Sequence, residues 1–422
     1  MPKLLSVNNY HYRRGGAETL YLEHAALLER MGWENAFFSM NHPKNLPTPW
    51  SRHFIDELEF GHDYSAWQKL LMATKVVYSF EAQTKLKRLL AEYPADVAHL
   101  HCIYHHLSPA ILPTLASAGI PVVLTAHDLK LACPAYTMAR DGKICEACRD
   151  GSLLNVVRNR CVKNSLLASS VIAVETGLHR ALRTYQRHVS VLVAPSRFFC
   201  AKLVEWGWPA DKLTYVPNFI DAADIVPQYQ PGGYLLYVGR LAKEKGLATL
   251  LEAAIHAGIP LKLAGTGPFE AELKARCARA DGADIQFLGY VTGQAMADAV
   301  RGAWAVVLPS ELYENAPMSV LEAMAFGKPV IGARIGGIPE LIDEGETGWT
   351  FTAGSVDELA SVMSSALAAG SAKLSRMGQA ARARVLRDFS RERYASSMLR
   401  IYDELGVQGI PAEYGQVAHT SA

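Results

Sequence analysis

Glu314 and Glu322, with seven residues between them, sit in a stretch whose spacing suits phosphate and sugar chemistry: PSELYENAPMSVLEAMAFGKPVIGARIGG, Pro309 to Gly337. A helix N-terminus between them would present backbone N–H groups and partial positive charge, which suit a phosphate. Carboxylates beside such a site would repel the anion unless they had another task, such as accepting hydrogen bonds from sugar hydroxyls. The competing reading is a capped surface helix with scattered glutamates. The elements that would place the pair can be read from the punctuation. VVLP (Val306 to Pro309) resembles the carboxyl end of a buried strand, and Pro317 suits the first helical position, where its missing N–H had no partner. The spacing predicts a helix from about Pro317 to Phe326, stopped by Gly327 and Lys328-Pro329 before a strand from Val330 to Ala333.

A second set of groups lies upstream. The strand Tyr234 to Val238 ends in Gly239-Arg240, and Lys245-Gly246 opens the next helix. Two cations at a strand end and a helix N-terminus can clamp a pyrophosphate, the arginine bidentately and the lysine as a point charge. Alone, such residues are ordinarily solvated. LKLAGTGPFEAEL offers Gly265 and Gly267, but the residue three beyond Gly267 is Glu270, so the dinucleotide fingerprint fails. The expectation is that these glycines let the backbone approach a nucleotide, beside a strand from Ile285 to Thr292.

In the N-terminal half, Lys3 to Val7 reads as a strand, and Gly15-Gly16 directly precedes a helix from about Ala17 to Met31. That is a common phosphate approach, although a Gly-Gly pair is often only a turn. Further strands are expected at Asn35 to Met40, Val97 to His101, Pro121 to Ala126 and Val189 to Pro195, with a long helical region from about Ala66 to Glu92. Strands alternating with helices predict an α/β fold with parallel sheets covered on both faces, whose ligands bind outside the carboxyl ends of strands. Two strand ends carry polar residues that a core does not need. VAHLHCIYHH puts His99 and His101 on one face, with His105 and His106 following and no carboxylate nearby to complete a metal site; His101 is a candidate on the acceptor side. PVVLTAHDLKLACP delivers His127-Asp128, which can donate to a sugar hydroxyl or a phosphate oxygen and orient or bind an acceptor. A histidine satisfied by backbone groups is the alternative.

Cys133, Cys145, Cys148 and Cys161 fall within about 30 residues, with Cys145 and Cys148 at the two-residue spacing of a metal knuckle. Four thiolates can close a tetrahedral structural zinc site; an iron–sulfur cluster and unligated thiols are the alternatives. A closed site of this kind would staple the loop beside His127 and offer no open position for catalysis.

Taken together, the two glutamates, the Gly-Lys-Pro-Val that follows them, Gly239-Arg240 and Lys245-Gly246 resemble the signature of the retaining glycosyltransferases of family 4. The resemblance implies the GT-B architecture, two Rossmann-like domains facing across a cleft, and transfer of a sugar from a nucleoside diphosphate sugar to an acceptor hydroxyl without a catalytic metal. It implies that Arg240 and Lys245 bind the donor diphosphate, that Glu314 holds the donor sugar and that Glu322 holds the ribose. It places Gly15 and Gly16 near the donor phosphates and His127 in the cleft. The family's usual Glu-Gly-Phe-Gly reads Glu314-Asn315-Ala316-Pro317 here, so the donor loop continuing through Met318 departs from the family pattern. A nucleotide-sugar epimerase, a phosphorylase on the same architecture and a non-catalytic sugar-nucleotide binder remain the rival readings. Glycan, polysaccharide and lipid-linked acceptors are all open.

Composition sets the frame. The 422 residues suit two large domains or three small ones, and 42 Lys plus Arg against 41 Asp plus Glu leave no general field to draw the chain onto nucleic acid. The expected division is an acceptor domain over 1–220, a linker over 221–232 rich in proline and glycine, and a donor domain over 233–389. A helix over 390–405 crosses back to the first domain, and a loose tail fills 406–422. The start MPKLLSVNNY reads as a first strand rather than a signal peptide, giving the expectation of a cytoplasmic protein. The segment from Trp67 to Arg88 mixes lysines with apolar residues, as a helix touching an anionic membrane would, or an ordinary solvated face.

Overall fold

The computed structural model describes residues 1–57, 66–280 and 282–410, and of 66–70 the backbone alone. The chain divides into two compact units: residues 1–138, 146–216 and those from Tyr394 onward form the first, and residues 139–145 and 217–393 the second.

The first unit holds a six-stranded sheet of β1 (Lys3–Val7), β2 (Glu34–Phe38), β3 (Val97–Leu100), β4 (Val122–Thr125), β7 (Val191–Ala194) and β8 (Leu213–Tyr215). Its order is β2-β1-β3-β4-β7-β8, and every neighbouring pair is parallel. Between β4 and β7 the chain makes a small antiparallel hairpin, β5 (Ala139–Arg140) with β6 (Lys143–Ile144). Asp141 and Gly142 turn it with φ of 50° and 76°, the positive pair of a type I′ hairpin turn.

The second unit repeats the architecture with β9 (Tyr234–Val238), β10 (Leu261–Ala264), β11 (Ile285–Gly289), β12 (Ala303–Leu308), β13 (Val330–Ala333) and β14 (Gly348–Phe351). The order β11-β10-β9-β12-β13-β14, all parallel, is the doubly wound order of Rossmann folds. Strands buried on both faces are largely apolar, and β3, β4, β12 and β13 are buried at every position, with His99 of β3 and Thr125 of β4 as polar exceptions that bond one another at 2.7 Å.

Strand order fixes where ligands can sit, because the connections on either side of a switch point leave a crevice at the carboxyl ends. In the first sheet the direction of winding changes between β1 and β3, and in the second between β9 and β12. The loops carrying Gly15-Gly16 and His101 flank the first switch point; those carrying Arg240 and Glu314 flank the second.

Two local expectations change. The long helix over 66–92 is two helices, Ala66–Val77 and Phe80–Glu92, because the Ser79 hydroxyl accepts from Ala82 N at 3.2 Å and caps a new start. The helix after Glu314 runs Met318–Ala325, with Pro317 one place outside it at ψ 122°. The last helix, Arg391–Glu404, buries Tyr394, Met398, Leu399 and Tyr402. Of the tail expected over 406–422, residues 411–422 lie outside the described residues. Among the described residues no helix is long and apolar enough to cross a membrane.

Candidate active site

In the second unit, the loop after β9 and the loop after β12 are tied to one another. Lys243–Lys245 form a single 3-10 turn, and Gly246 follows at φ 65°. A Cβ on Gly246 would lie 1.8 Å from the Pro309 carbonyl oxygen, so only glycine lets the two loops meet. Glu311 N donates to Glu244 O at 3.0 Å, and Thr249 Oγ1 donates to Glu311 Oε1 at 2.6 Å. This close approach brings Lys245 Nζ to 2.5 Å from Glu314 Oε1, which also accepts from Ser310 Oγ at 2.7 Å. Gly337 N donates to Glu314 O at 2.9 Å, fixing the glutamate's backbone from the far side of the helix. Lys245 and Glu314 keep 24% and 17% of their side-chain surfaces exposed, so the pair is reachable but well sheltered.

Arg240 stands apart from that pair. Its guanidinium binds Glu244 one helical turn along, and 62% of its side chain is exposed. Both cations expected to clamp a diphosphate are therefore neutralised by their own glutamates, and an arriving anion must exchange with a carboxylate.

The structure gives Gly265 and Gly267 a task within the protein. A Cβ at Gly265 would lie 1.9 Å from Gly239 O, and one at Gly267 2.2 Å from Leu241 O. Gly239 N donates to Ala264 O at 3.0 Å and Leu241 N to Thr266 O at 2.9 Å. These glycines let the loop after β10 lie against the Gly239–Leu241 backbone, which accounts for them without a ligand.

Beyond Glu314, Asn218 Nδ2 donates to Ala316 O at 2.9 Å, while the buried Asn218 Oδ1 finds no partner. That bond holds Ala316 and Pro317 at the helix start, ahead of Met318. Asn315 lies in the same loop. Glu322, in the second turn, is exposed at its own surface yet crowded by protein, and this desolvation holds its carboxyl above the ordinary carboxylate range.

In the first unit, Gly15 and Gly16 are exposed; Gly15 has an extended backbone, and the helix Gly16–Arg30 starts without a side-chain cap. Glu18, in the first turn, is buried, and burial raises its pKa. The asparagines after β1 lace this loop to the one after β3: Asn8 Oδ1 accepts from Cys102 N at 3.0 Å, and Asn9 Nδ2 donates to Tyr104 O at 2.8 Å. The sequence reading passed over Asn8 and Asn9, although two amides directly after an apolar strand are a signal of this kind.

His127 and His101 meet here. Their rings stack at 5.0 Å between centroids, and His101 Nδ1 lies 2.7 Å from His127 Nε2. The stack continues through His99, 4.7 Å from His101, whose ring nitrogens lie 2.6 Å from Tyr402 Oη and 2.7 Å from Thr125 Oγ1. Tyr402 also bonds His24 Nε2 at 2.9 Å, and Tyr394 bonds His24 Nδ1 at 3.0 Å. Burial lowers every imidazole of this row, His127 to about 4 and His24 to about 3, so all are neutral near pH 7. His101 Nε2 is buried without a partner. A bare acceptor there costs less than an orphaned N–H, so His101 carries its proton on Nδ1 and donates it to His127 Nε2. His127 then keeps its own proton on Nδ1 as a hydrogen-bond donor.

Asp128 sits beside this row. Burial lifts its carboxyl to about 6, although Oδ1 accepts from Lys130 N at 2.9 Å. Lys130 in turn makes a buried ion pair with Glu175 at 2.8 Å.

The cysteines do not make the expected metal centre. Among the described residues no group of three or more His, Cys, Asp and Glu side chains is arranged to hold a metal ion. Cys148 is buried, while Cys133, Cys145 and Cys161 remain partly accessible. Sequence spacing limits how far apart four thiols can be; it does not aim them at one point. The structure therefore lends no support to the expected structural zinc or iron–sulfur cluster.

Residues 14–224, half of the chain, match the family described as Glycosyltransferase Family 4, and residues 223–384 match Glycosyl transferases group 1. Glycogen synthase of Mycobacterium tuberculosis is 29% identical over 369 residues, covering 82% of this chain and 77% of that protein. A D-inositol 3-phosphate glycosyltransferase of Pseudarthrobacter chlorophenolicus is 32% identical over 213 residues, 44% of this chain and 50% of the relative. Among solved structures, Anabaena Alr3699/HepE in complex with UDP superposes with a TM-score of 0.67 at 17% identity, over 96% of this chain and 100% of that one. Sucrose-phosphate synthase from Thermosynechococcus elongatus gives 0.69 at 20% identity, over 96% and 99%. With two Rossmann-like units of the GT-B kind and both family matches, the chain belongs to glycosyltransferase family 4 and is a glycosyltransferase.

Proposed function

We propose that the enzyme moves a sugar from a nucleoside diphosphate sugar to a hydroxyl of a glycan or lipid-linked glycan, with retention at the anomeric carbon. The observation that carries the donor assignment is the Lys245–Glu314 pair, 2.5 Å apart at the switch point of the second sheet. A diphosphate arriving at the loop after β9 takes Lys245 from Glu314, and the released carboxylate becomes an acceptor for donor-sugar hydroxyls. Arg240, with much of its side chain in solvent, turns from Glu244 to the same phosphates. Asn315, Ala316, Pro317 and Met318 shape the donor loop, Glu322 holds the ribose, and Gly239, Gly265 and Gly267 form the floor. Solved relatives in complex with UDP and with UDP-glucose support a donor of this class.

The first unit supplies the acceptor side. His127 donates its Nδ1 proton to a sugar hydroxyl, with His101 behind it and Asp128 available to an acceptor hydroxyl. Gly15 and Gly16 leave exposed backbone in the loop after β1, at the switch point of the first sheet. In the transfer, the bond from the anomeric carbon to the diphosphate oxygen breaks and the acceptor oxygen bonds to the same face. The acceptor proton passes to the departing phosphate oxygen. Lys245, Arg240 and the helix start at Met318 stabilise the charge on the leaving diphosphate, the task a divalent cation performs elsewhere.

The test is donor turnover by the purified protein. Nucleoside diphosphate released only when an acceptor is present, with the product's anomeric configuration matching the donor's by NMR, supports the reading. Release independent of acceptor, or an inverted product, overturns it.

A further inference from the structure

The helix Leu166–Ala181 is turned inside out. Its inward face buries the polar Ser169, Glu175, Thr176 and His179 beside a single apolar residue, Ile172. Each polar side chain has a partner: Glu175 holds Lys130, Thr176 Oγ1 donates to Glu175 Oε2 at 3.0 Å, His179 bonds Val77 O at 2.8 Å, and Ser169 Oγ accepts from Val162 N at 3.1 Å. Its outward face carries Leu166, Leu167, Val174 and Leu178, followed by Leu182, each 38–61% exposed. Leu167, Val171, Val174 and Leu178 follow helical spacing, so they form one stripe, and Leu154 on the neighbouring helix adds another exposed leucine. An amphipathic helix of a soluble domain presents the opposite pattern.

Charge says what covers this stripe. Arg158, Arg160 and Lys163 lie before the helix, and Arg183 and Arg187 after its end, all exposed, whereas the Arg180 guanidinium is turned to Ala132 O at 2.6 Å. Between residues 151 and 188 the only carboxylate is Glu175, which is buried against Lys130. An apolar stripe with cations at both ends repels a second copy of itself, because any pairing of the two faces sets cation on cation. It suits a surface that takes apolar groups and offers negative charge.

We propose that this face seats on an anionic lipid membrane, with the leucine and valine stripe entering the boundary between headgroups and acyl chains and the five exposed cations meeting lipid phosphates. The segment from Trp67 to Arg88 is a poorer candidate: Lys75 is bound by Glu81, and Lys85 by Asp56 and Glu81. The inference is independent of the proposed sugar chemistry, since its test contains no donor.

The test is flotation of the full chain with vesicles of phosphatidylcholine alone or mixed with phosphatidylglycerol. Flotation with the mixed vesicles at least about tenfold stronger than with the neutral ones is expected, and high salt should weaken it. Leu167→Ser with Val174→Ser and Leu178→Ser should abolish flotation while leaving the thermal midpoint near wild type, because these side chains keep 38–61% of their surface in solvent. Arg158→Glu with Arg160→Glu should weaken it separately. Equal flotation with both vesicles, flotation untouched by the serine variant, or a solution dimer that the serine variant dissociates would each overturn the proposal.

Discussion

Lys245 Nζ lies 2.5 Å from Glu314 Oε1, across 69 residues of sequence, and this contact joins the two loops at the switch point of the second sheet. Both side chains are more useful parted than paired, so each substitution has two consequences. Lys245→Ala removes the cation from the leaving diphosphate and should cut kcat/KM at least about tenfold, roughly 1.4 kcal/mol of transition-state stabilisation. Glu314→Ala should do the same through the donor sugar while freeing Lys245, so free nucleoside diphosphate should inhibit it more strongly than wild type. Steady-state rates and product inhibition check both, and near wild-type rates in both variants would remove the donor site from this location.

His101 donates to His127 and touches no substrate in this reading, which makes it a positioning residue. His101→Phe keeps the ring stack but leaves His127 Nε2 without its donor. The second tautomer of His127 then competes, and kcat should fall about tenfold with little change in KM. The acid limb of the rate profile should move as well, since His127 has lost a hydrogen bond to its neutral form. A rate within twofold of wild type and an unmoved profile would show that packing alone explains His101.

Acid should unfold the first unit early. Unfolded imidazoles titrate near 6.5, whereas burial holds His127 near 4, His24 near 3 and His99 and His101 well below the ordinary value. The unfolded chain therefore takes up protons first, and stability that is present above pH ~6.5 is lost as pH falls toward the folded values. Each histidine removes about 1.4 kcal/mol per pH unit once its unfolded form is charged. Urea midpoints measured between pH 7 and 5 should fall steeply at constant m-value; a flat midpoint would mean that the row is not buried.

Asp128 works in the other direction. Its folded carboxyl is raised to about 6 from an ordinary 3.8, so the folded state holds the extra proton between those values and stability falls as pH rises through them. Asp128→Asn should therefore stabilise the protein above pH ~6, by roughly 1–3 kcal/mol, with the gain vanishing near pH 4. Thermal midpoints at the two ends of that range check this, and activity should fall as stability rises if Asp128 meets the acceptor.

How much of this was legible depends on how local each signal was. Glycines, prolines and apolar runs mark their own positions, so Val330–Ala333, Tyr234–Val238 and the helix after Glu314 could be read within a residue or so. Strand order could not, because nothing in β1 names β3 as its neighbour. The bonds from Asn8 and Asn9 and the stack of His99, His101 and His127 exist only once β1, β3 and β4 are side by side. The same gap explains the cysteines, whose spacing carried no information about direction. It also explains Gly265 and Gly267, whose neighbours are backbone atoms of a loop over twenty residues earlier.

Lys130 and Glu175 show why the helix Leu166–Ala181 buries its polar face. Their ion pair is 2.8 Å long with both side chains almost wholly out of solvent; Lys130 Nζ also donates to Pro134 O at 3.0 Å, and Thr176 Oγ1 donates to Glu175 Oε2 at 3.0 Å. Desolvating both ions offsets most of their attraction, so the pair adds little net stability, but a lone survivor is costly. Lys130→Met should lose about 3–5 kcal/mol by stranding the Glu175 carboxylate, and Glu175→Leu a similar amount. The double variant should recover most of that loss, because two apolar side chains strand nothing. Chemical denaturation of the three variants closes the cycle. Additive losses in the double variant would mean that the two residues stabilise the loop after β4 separately, and the inverted helix would need another cause.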